Sequence, residues 1–158
     1  MYFPKNILLF LYFFWFWGEC VAQEEVNQEN CPGTLCFFGV SIELLNDCIL
    51  KVASTSSVVK QPTIKVDLPY PETCEFVTLS DSTNIVRAEK YYDAWIVLVQ
   101  SYRQVDKETC DTRYKAIIVR KDRKVFVSSK SNGGSGCPPI YRDRGAFTYL
   151  AHDYVNHD

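Results

Sequence analysis

The chain has few of the residues from which metal centres are built. Seven cysteines are present, but no two stand in a C-x-x-C spacing, and the two histidines, His152 and His157, are both near the C-terminus. Because structural zinc sites draw their ligands from closely spaced cysteine and histidine pairs, we expect no metal site and no cofactor. Sequons are also missing, since no asparagine is followed two residues later by serine or threonine, so N-glycosylation is not expected.

An excess of charge of one sign is missing as well. The chain carries 17 Lys and Arg against 19 Asp and Glu, which gives a net charge of −2, and the basic residues are dispersed. A near-neutral chain creates no general field that would attract nucleic acid or anionic membranes. We therefore expect no nucleic-acid partner.

The sequence lacks a set of residues that would support catalysis. The segment Gly-Gly-Ser-Gly-Cys at 133–137 is superficially similar to the turn that presents a nucleophilic serine, but G-x-S-x-G would require glycine where Cys137 stands. A serine nucleophile also needs a histidine base held by a third group. Asp106 and Glu108 fall in a charged turn, where carboxylates are usually solvated. We predict that the protein is not an enzyme.

One long apolar run is present, and it stands at the start of the chain. Ile7 to Trp17 contains no charged side chain, and Cys20 and Ala22 occupy the −3 and −1 places of a small-residue cleavage signal. Eleven apolar residues are too few to cross a bilayer as a helix, which takes about 20. We therefore predict an export signal at residues 1–22 and a secreted, extracellular domain at 23–158, without stable membrane insertion.

Removal of the signal leaves an even number of cysteines. Seven minus Cys20 gives six, and six cysteines in an oxidising compartment are expected to form three disulfides. The sequence alone permits about 15 pairings. The predicted disulfide cysteines are Cys31, Cys36, Cys48, Cys74, Cys110 and Cys137.

The remainder of the chain has the pattern of an all-β protein. Short alternating segments are separated by turn residues, and no apolar stripe at helical spacing exceeds two turns. The predicted strands are Ile42 to Leu45, Cys48 to Ala53, Thr63 to Leu68, Glu75 to Leu79, Asn84 to Glu89, Ala94 to Arg103, Arg113 to Arg120 and Lys124 to Ser129.

The last three strands are predicted to form an antiparallel meander, because β-branched runs are joined there by a polar loop and a tight turn. Lys130 to Gly136 is interpreted as a flexible Gly/Ser loop whose end is tethered, and Ala146 to Val155 as either a short strand or a helical turn. The segment Ala94 to Arg103 is apolar on both faces at its middle, so we expect it to be covered on both sides. A barrel with a lined cavity explains this pattern, and so does a sandwich core with an oligomer contact.

Several motifs occur in the order found in one family. They are Cys31-Pro32, Gly39 to Leu44, the Asn-Asp-Cys-Ile segment at 46–49, Tyr91 to Val97 and Ala116 to Arg120. In this order the sequence resembles the lipocalins, particularly the apolipoprotein D and insect bilin-binding branch, in a divergent and shortened form. Ser41 stands where that branch has tryptophan.

The resemblance implies an up-and-down β-barrel that carries a small apolar ligand in an extracellular fluid. It also implies that Cys48 pairs with Cys137, and that Cys31 or Cys36 pairs with Cys110. A preformed pocket of this type is lined by apolar groups with a few polar anchors. The candidate lining residues are Phe76, Trp95, Val97, Val99 and Tyr114.

An alternative interpretation needs no ligand cavity. A disulfide-stapled β-sandwich could act as a secreted interaction protein, which binds another extracellular protein through the loops Gln104 to Thr112 or Ser131 to Gly136.

Overall fold

The computed structural model describes residues 35–54, 62–79, 85–139 and 142–155. Within these ranges the chain consists mainly of antiparallel β-strands with one short helix, which confirms the all-β prediction. The strands are β1 (Leu35–Phe37), β2 (Val40–Leu45), β3 (Ile49–Ser54), β4 (Thr63–Lys65), β5 (Glu75–Phe76), β6 (Ala88–Tyr91), β7 (Ala94–Gln104), β8 (Thr109–Arg120), β9 (Val125–Val127) and β10 (Asn132–Gly136), and the helix is α1 (Arg144–Ala151).

Two predictions fall outside the described ranges, namely the export signal at residues 1–22 and the pairing of Cys31. In the part of the chain that the structure describes, no helix is long and apolar enough to cross a membrane.

The N-terminal sheet contains β1 to β4 in chain order, each antiparallel to the next. Its side chains alternate between two environments. Ile42 and Leu50 are fully buried on one face, while Glu43 and Lys51 form an ion pair of 3.3 Å on the other. This alternation is typical of an antiparallel sheet with one face on the core and one face in water.

The C-terminal sheet is built around one long hairpin. β7 and β8 are paired along their length, from Ala94 opposite Arg120 to Gln104 opposite Cys110. The free edge of β7 pairs with β5 and β6, and the free edge of β8 pairs with β9 and β10. The β-branched runs predicted as an antiparallel meander therefore form β7, β8 and β9, and that prediction is confirmed.

The C-terminal sheet lies between the N-terminal sheet and α1. Val97 and Val99 belong to the core shared with the N-terminal sheet, whereas Ile96 and Leu98 belong to the core under α1. The expectation that β7 is covered on both faces is thus confirmed. Its second face is covered by α1 and not by an oligomer contact. Asp143 starts the helix, since its Oδ1 accepts a hydrogen bond of 3.0 Å from the Ala146 backbone N–H.

The flexible loop predicted at Lys130 to Gly136 is wrong for most of its length. Residues Asn132–Gly136 form β10, which pairs with β8. Three glycines gave no strand signal, but a strand on an edge needs only backbone hydrogen bonds from its neighbour. The disulfide that follows β10 also holds the segment against β8.

The disulfide pairing implied by the family resemblance is wrong. Cys48 bonds to Cys74, with a Cα–Cα distance of 5.4 Å, and Cys110 bonds to Cys137, at 4.7 Å. The topology explains both, since β10 ends opposite the start of β8, where Cys110 lies, and Cys74 immediately precedes β5, beside the turn that contains Cys48. Cys36 is also disulfide-bonded.

Candidate functional site

Four of the five predicted lining residues lie on one face of the C-terminal sheet. Trp95, Val97 and Val99 alternate along β7, so their side chains point to the same side, and Phe76 on β5 stands opposite Val99. All four pack in the core between the two sheets. We call this the inner face.

Tyr114 lies on the opposite face. It stands opposite Gln100 on β7 and packs in the core under α1, where it is 4% exposed. Because alternate residues of a strand point to opposite faces, Tyr114 cannot share a site with Trp95 or Val97. The sequence placed these residues together since both strands are apolar on both faces at their middle.

The middle of the inner face is packed core. Val97 and Val99 are fully buried, as are Ile117 on β8 and Ile42 on β2. Neighbouring protein atoms therefore occupy the space beside them, at the close-packed density typical of protein interiors. A ligand would contact the inner face at one of its ends and not at its centre.

One end of the inner face contains aromatic side chains, and Trp95 and Val125 are only half-buried there. A row across four strands runs from Lys90 through Trp95 and Val119 to Val125. Above Trp95 lies Phe37 of the N-terminal sheet, with the two ring centroids 5.7 Å apart and the planes inclined by 29°. This stacked geometry is favourable for aromatic pairs.

A cation and a tight turn complete this region. The Lys90 ammonium nitrogen lies 5.9 Å from the centre of the Trp95 ring, at the limit of a cation–π contact. Phe38 and Gly39 connect β1 to β2 with positive φ angles of 52° and 75°, which the absence of a side chain makes easy for the glycine. We call Phe37, Phe38, Lys90, Trp95 and Val125 together the Trp95 end.

The other end of the inner face is closed. The disulfide between Cys48 and Cys74 joins the two sheets there. Thr73 Oγ1 donates a hydrogen bond of 2.5 Å to the Tyr102 carbonyl and accepts one of 2.9 Å from its N–H. Ser101 points into this end, fully buried, and its hydroxyl has no hydrogen-bond partner among the described residues.

The titratable groups with perturbed pKa values lie on the surface, away from the inner face. Two backbone N–H groups, those of Glu108 and Thr109, donate to Asp106 and lower the pKa of its carboxyl. A hydrogen bond of 2.5 Å to the Asp111 carboxylate raises the pKa of the Tyr70 phenol. The Asp106 contacts cap the β7–β8 turn, and the Tyr70 contact joins the segment before β5 to β8.

Within the described ranges, no group of three or more His, Cys, Asp or Glu side chains could hold a metal ion. His152 is exposed and lies 3.5 Å from the carboxylate of Asp153, and His157 is outside these ranges.

The sequence analysis did not identify four members of the Trp95 end, namely Phe37, Phe38, Lys90 and Val125. Lys90 follows from hairpin register, because a tight turn after Tyr91 places it opposite Trp95. Phe37 had a weaker signal, since β1 is only three residues long and its pairing with β2 was not predicted.

Comparisons with known proteins give no relative. No family model matches the chain, and no match was found among curated proteins or among solved structures.

Proposed function

We propose that the protein is secreted, is not an enzyme, and binds small apolar molecules at the Trp95 end. The observation that carries this proposal is the half-buried Trp95 ring, stacked on Phe37 where the apolar inner face reaches the surface. Ligand sites in proteins are mostly concave and apolar, with a few polar groups that fix orientation. The ammonium group of Lys90 beside the ring is such a polar group, and it favours an apolar molecule with an anionic end.

The scaffold is best described as a disulfide-stapled sandwich. Among the described residues no strand of the N-terminal sheet pairs with a strand of the C-terminal sheet, and the two sheets face each other across an apolar core. This favours the sandwich over the closed barrel, and it confines a ligand to the end of the core. The lipocalin relationship stays a prediction from the sequence motifs.

Secretion is supported by covalent structure. The Cys48–Cys74 and Cys110–Cys137 bonds are typical of proteins that fold in an oxidising compartment. Expression of the full chain in a secreting eukaryotic host tests this part. We expect a product in the medium that starts at Gln23 and whose intact mass corresponds to three disulfides. Retention in the cytosol with free thiols would contradict it.

Ligand binding is tested by titration with oleate and cholesterol. The chain from residue 23 onward contains Trp95 as its single tryptophan, so its fluorescence reports directly on the proposed site. We expect a saturable change in emission with at least one of these probes. Isothermal titration calorimetry then compares Trp95→Leu, which we expect to weaken binding about tenfold or more, with Tyr149→Ala on α1, which we expect to leave it unchanged.

A second candidate function is supported by the packed centre of the inner face. Val97 and Val99 leave no space for a ligand between the sheets, so the Trp95 end could instead receive an aromatic or apolar side chain of an extracellular protein. Tyr92, 53% exposed in the adjacent β6–β7 turn, extends the apolar surface there. A folded protein that binds neither probe would favour this function over the carrier.

A further inference from the structure

A guanidinium group with two buried nitrogen atoms, and with no carboxylate partner among the described residues, lies on the face opposite the Trp95 end. Arg142 immediately precedes the residue that caps α1, and its Nε and Nη2 atoms are buried without a hydrogen-bond partner among the described residues. Within the same ranges no carboxylate forms an ion pair with it. A buried charge without a partner is costly, because it has lost its hydration and gained nothing in exchange.

The Arg142 group is held in position by its surroundings. Its guanidinium stacks on the buried Tyr114 ring, with the carbon 4.4 Å from the ring centre. Its backbone carbonyl accepts a hydrogen bond from Arg87 Nη1, and the Arg87 guanidinium is itself paired with Glu89. The orientation of Arg142 is therefore set by protein contacts and not by an anion.

The guanidinium group packs closely against the neighbouring strand β10. Across from it lies Gly134 of β10, where an added Cβ would come within 3.3 Å of Nη1 and 3.4 Å of Nη2. On the same face of the sheet, Gln100 stands opposite Tyr114, and its Oε1 is also buried without a partner. Polar atoms of this kind are usually satisfied in native proteins, and those that are not require a physical explanation.

We propose that Arg142 binds a carboxylate. Nε and Nη2 form one edge of the planar group, and their two parallel N–H bonds match the two oxygens of a carboxylate. Arg142 as a residue is only half-buried, and binding requires a rotation of its side chain that exposes this edge to the ligand. The carboxylate belongs to a small organic acid or to an acidic side chain of a protein partner. This site is separate from the Trp95 end and does not depend on the proposed carrier function.

The experiment uses the disulfide-bonded protein with sodium acetate as the probe and sodium chloride at equal ionic strength as the reference. We expect acetate to raise Tm in a saturable manner, and the Arg142 Nε–H signal in a ¹⁵N-resolved NMR spectrum to move in step with it. Arg142→Lys keeps the charge but cannot form two parallel hydrogen bonds to a carboxylate, so the acetate concentration at half-saturation should rise by roughly tenfold or more.

Arg113→Lys is the matched control. Arg113 lies beside Gly133 of β10, next to the glycine that contacts Arg142. Arg113 is exposed and paired with Asp111 at 3.1 Å, so its replacement should leave the acetate response unchanged. If Arg142→Lys does not fold, the Nε–H signal of the wild-type protein still decides. Equal effects of acetate and chloride, with a stationary Nε–H signal, would overturn the proposal.

A second probe separates the two sources of the carboxylate. Blocked N-acetyl-glutamate amide carries the group on a peptide unit, whereas acetate carries it alone. Half-saturation at a much lower concentration of the peptide unit would assign the site to an acidic side chain of a partner. Equal half-saturation would assign it to a small organic acid, and both results support a carboxylate site.

Discussion

Replacement of Phe147 by alanine is expected to cost about 3–5 kcal/mol in the free energy of unfolding. Phe147 is fully buried on α1, packed in the same core as Ile96, Leu98 and Ile118 of the C-terminal sheet. The Arg87 guanidinium also lies over its ring, 5.0 Å from the centre, so the substitution removes a cation–π contact together with the apolar contacts. The loss should therefore fall in the upper part of that range.

Equilibrium unfolding in urea measures this loss, and thermal unfolding should show a decrease in Tm of roughly 10–20 °C for a domain of this size. Tyr149→Ala is the control on the same helix, because Tyr149 is 57% exposed and should change the free energy by less than about 0.5 kcal/mol. If Phe147→Ala costs no more than Tyr149→Ala, then α1 does not cover the C-terminal sheet and the three-layer arrangement is wrong.

Three further predictions concern bonds at the edges of the fold. Replacement of Cys110 and Cys137 by serine should lower the free energy of unfolding by about 3.5 kcal/mol in urea, because the bond closes a loop with a sequence separation of 27, and amides of β10 should then exchange faster with solvent. Thr73→Val removes both hydrogen bonds to the backbone of residue 102 and should cost about 1–2 kcal/mol in the same assay.

The third prediction in this group concerns pH. The hydrogen bond of 2.7 Å from Lys130 lowers the pKa of Asp153 and raises that of Lys130. A lowered carboxyl pKa stabilises the folded state above the ordinary value near 4, and this contribution is lost as pH falls through the lowered pKa. The raised pKa of Lys130 acts at alkaline pH, because its contribution to the stability of the folded state is lost as pH rises through the raised value. Asp153→Asn should flatten both limbs of the Tm–pH curve, and an unchanged curve would contradict the pairing.

The strands that could be predicted from the sequence are those rich in β-branched residues. β7 and β8 contain runs of β-branched residues, so their pairing and the covering of both faces followed from composition and alternation. β10 is Asn-Gly-Gly-Ser-Gly, and it becomes a strand only because β8 offers an open edge and a disulfide holds it there. Such a strand depends on its neighbours and not on its own residues.

The sequence of α1 contains a helical pattern, but that pattern alone did not decide between a helix and a strand. Phe147, Leu150 and Ala151 are spaced by three and four residues, which places them on one face of a helix, and Asp143 is a favourable N-cap. The segment is too short for this pattern to exclude a strand, and the apolar face of the C-terminal sheet provides the packing that selects the helix.

The candidate site was predictable in part, because alternation places Trp95, Val97 and Val99 on one face whatever the partner strands are. The exclusion of Tyr114 required the register of β8 against β7, and the disulfide pairing required the topology of both sheets. The difference between a cavity and a packed centre depends on side-chain volumes across two sheets, which a one-dimensional pattern does not contain.

The most direct test of ligand binding at the Trp95 end is an NMR titration of the protein with oleate. We predict saturable shifts of the Trp95 indole N–H and of the Val125 methyl groups, while the Leu150 methyl groups under α1 stay in place. Shifts confined to the α1 side, or no saturable shift at Trp95 and Val125, would contradict the proposed site.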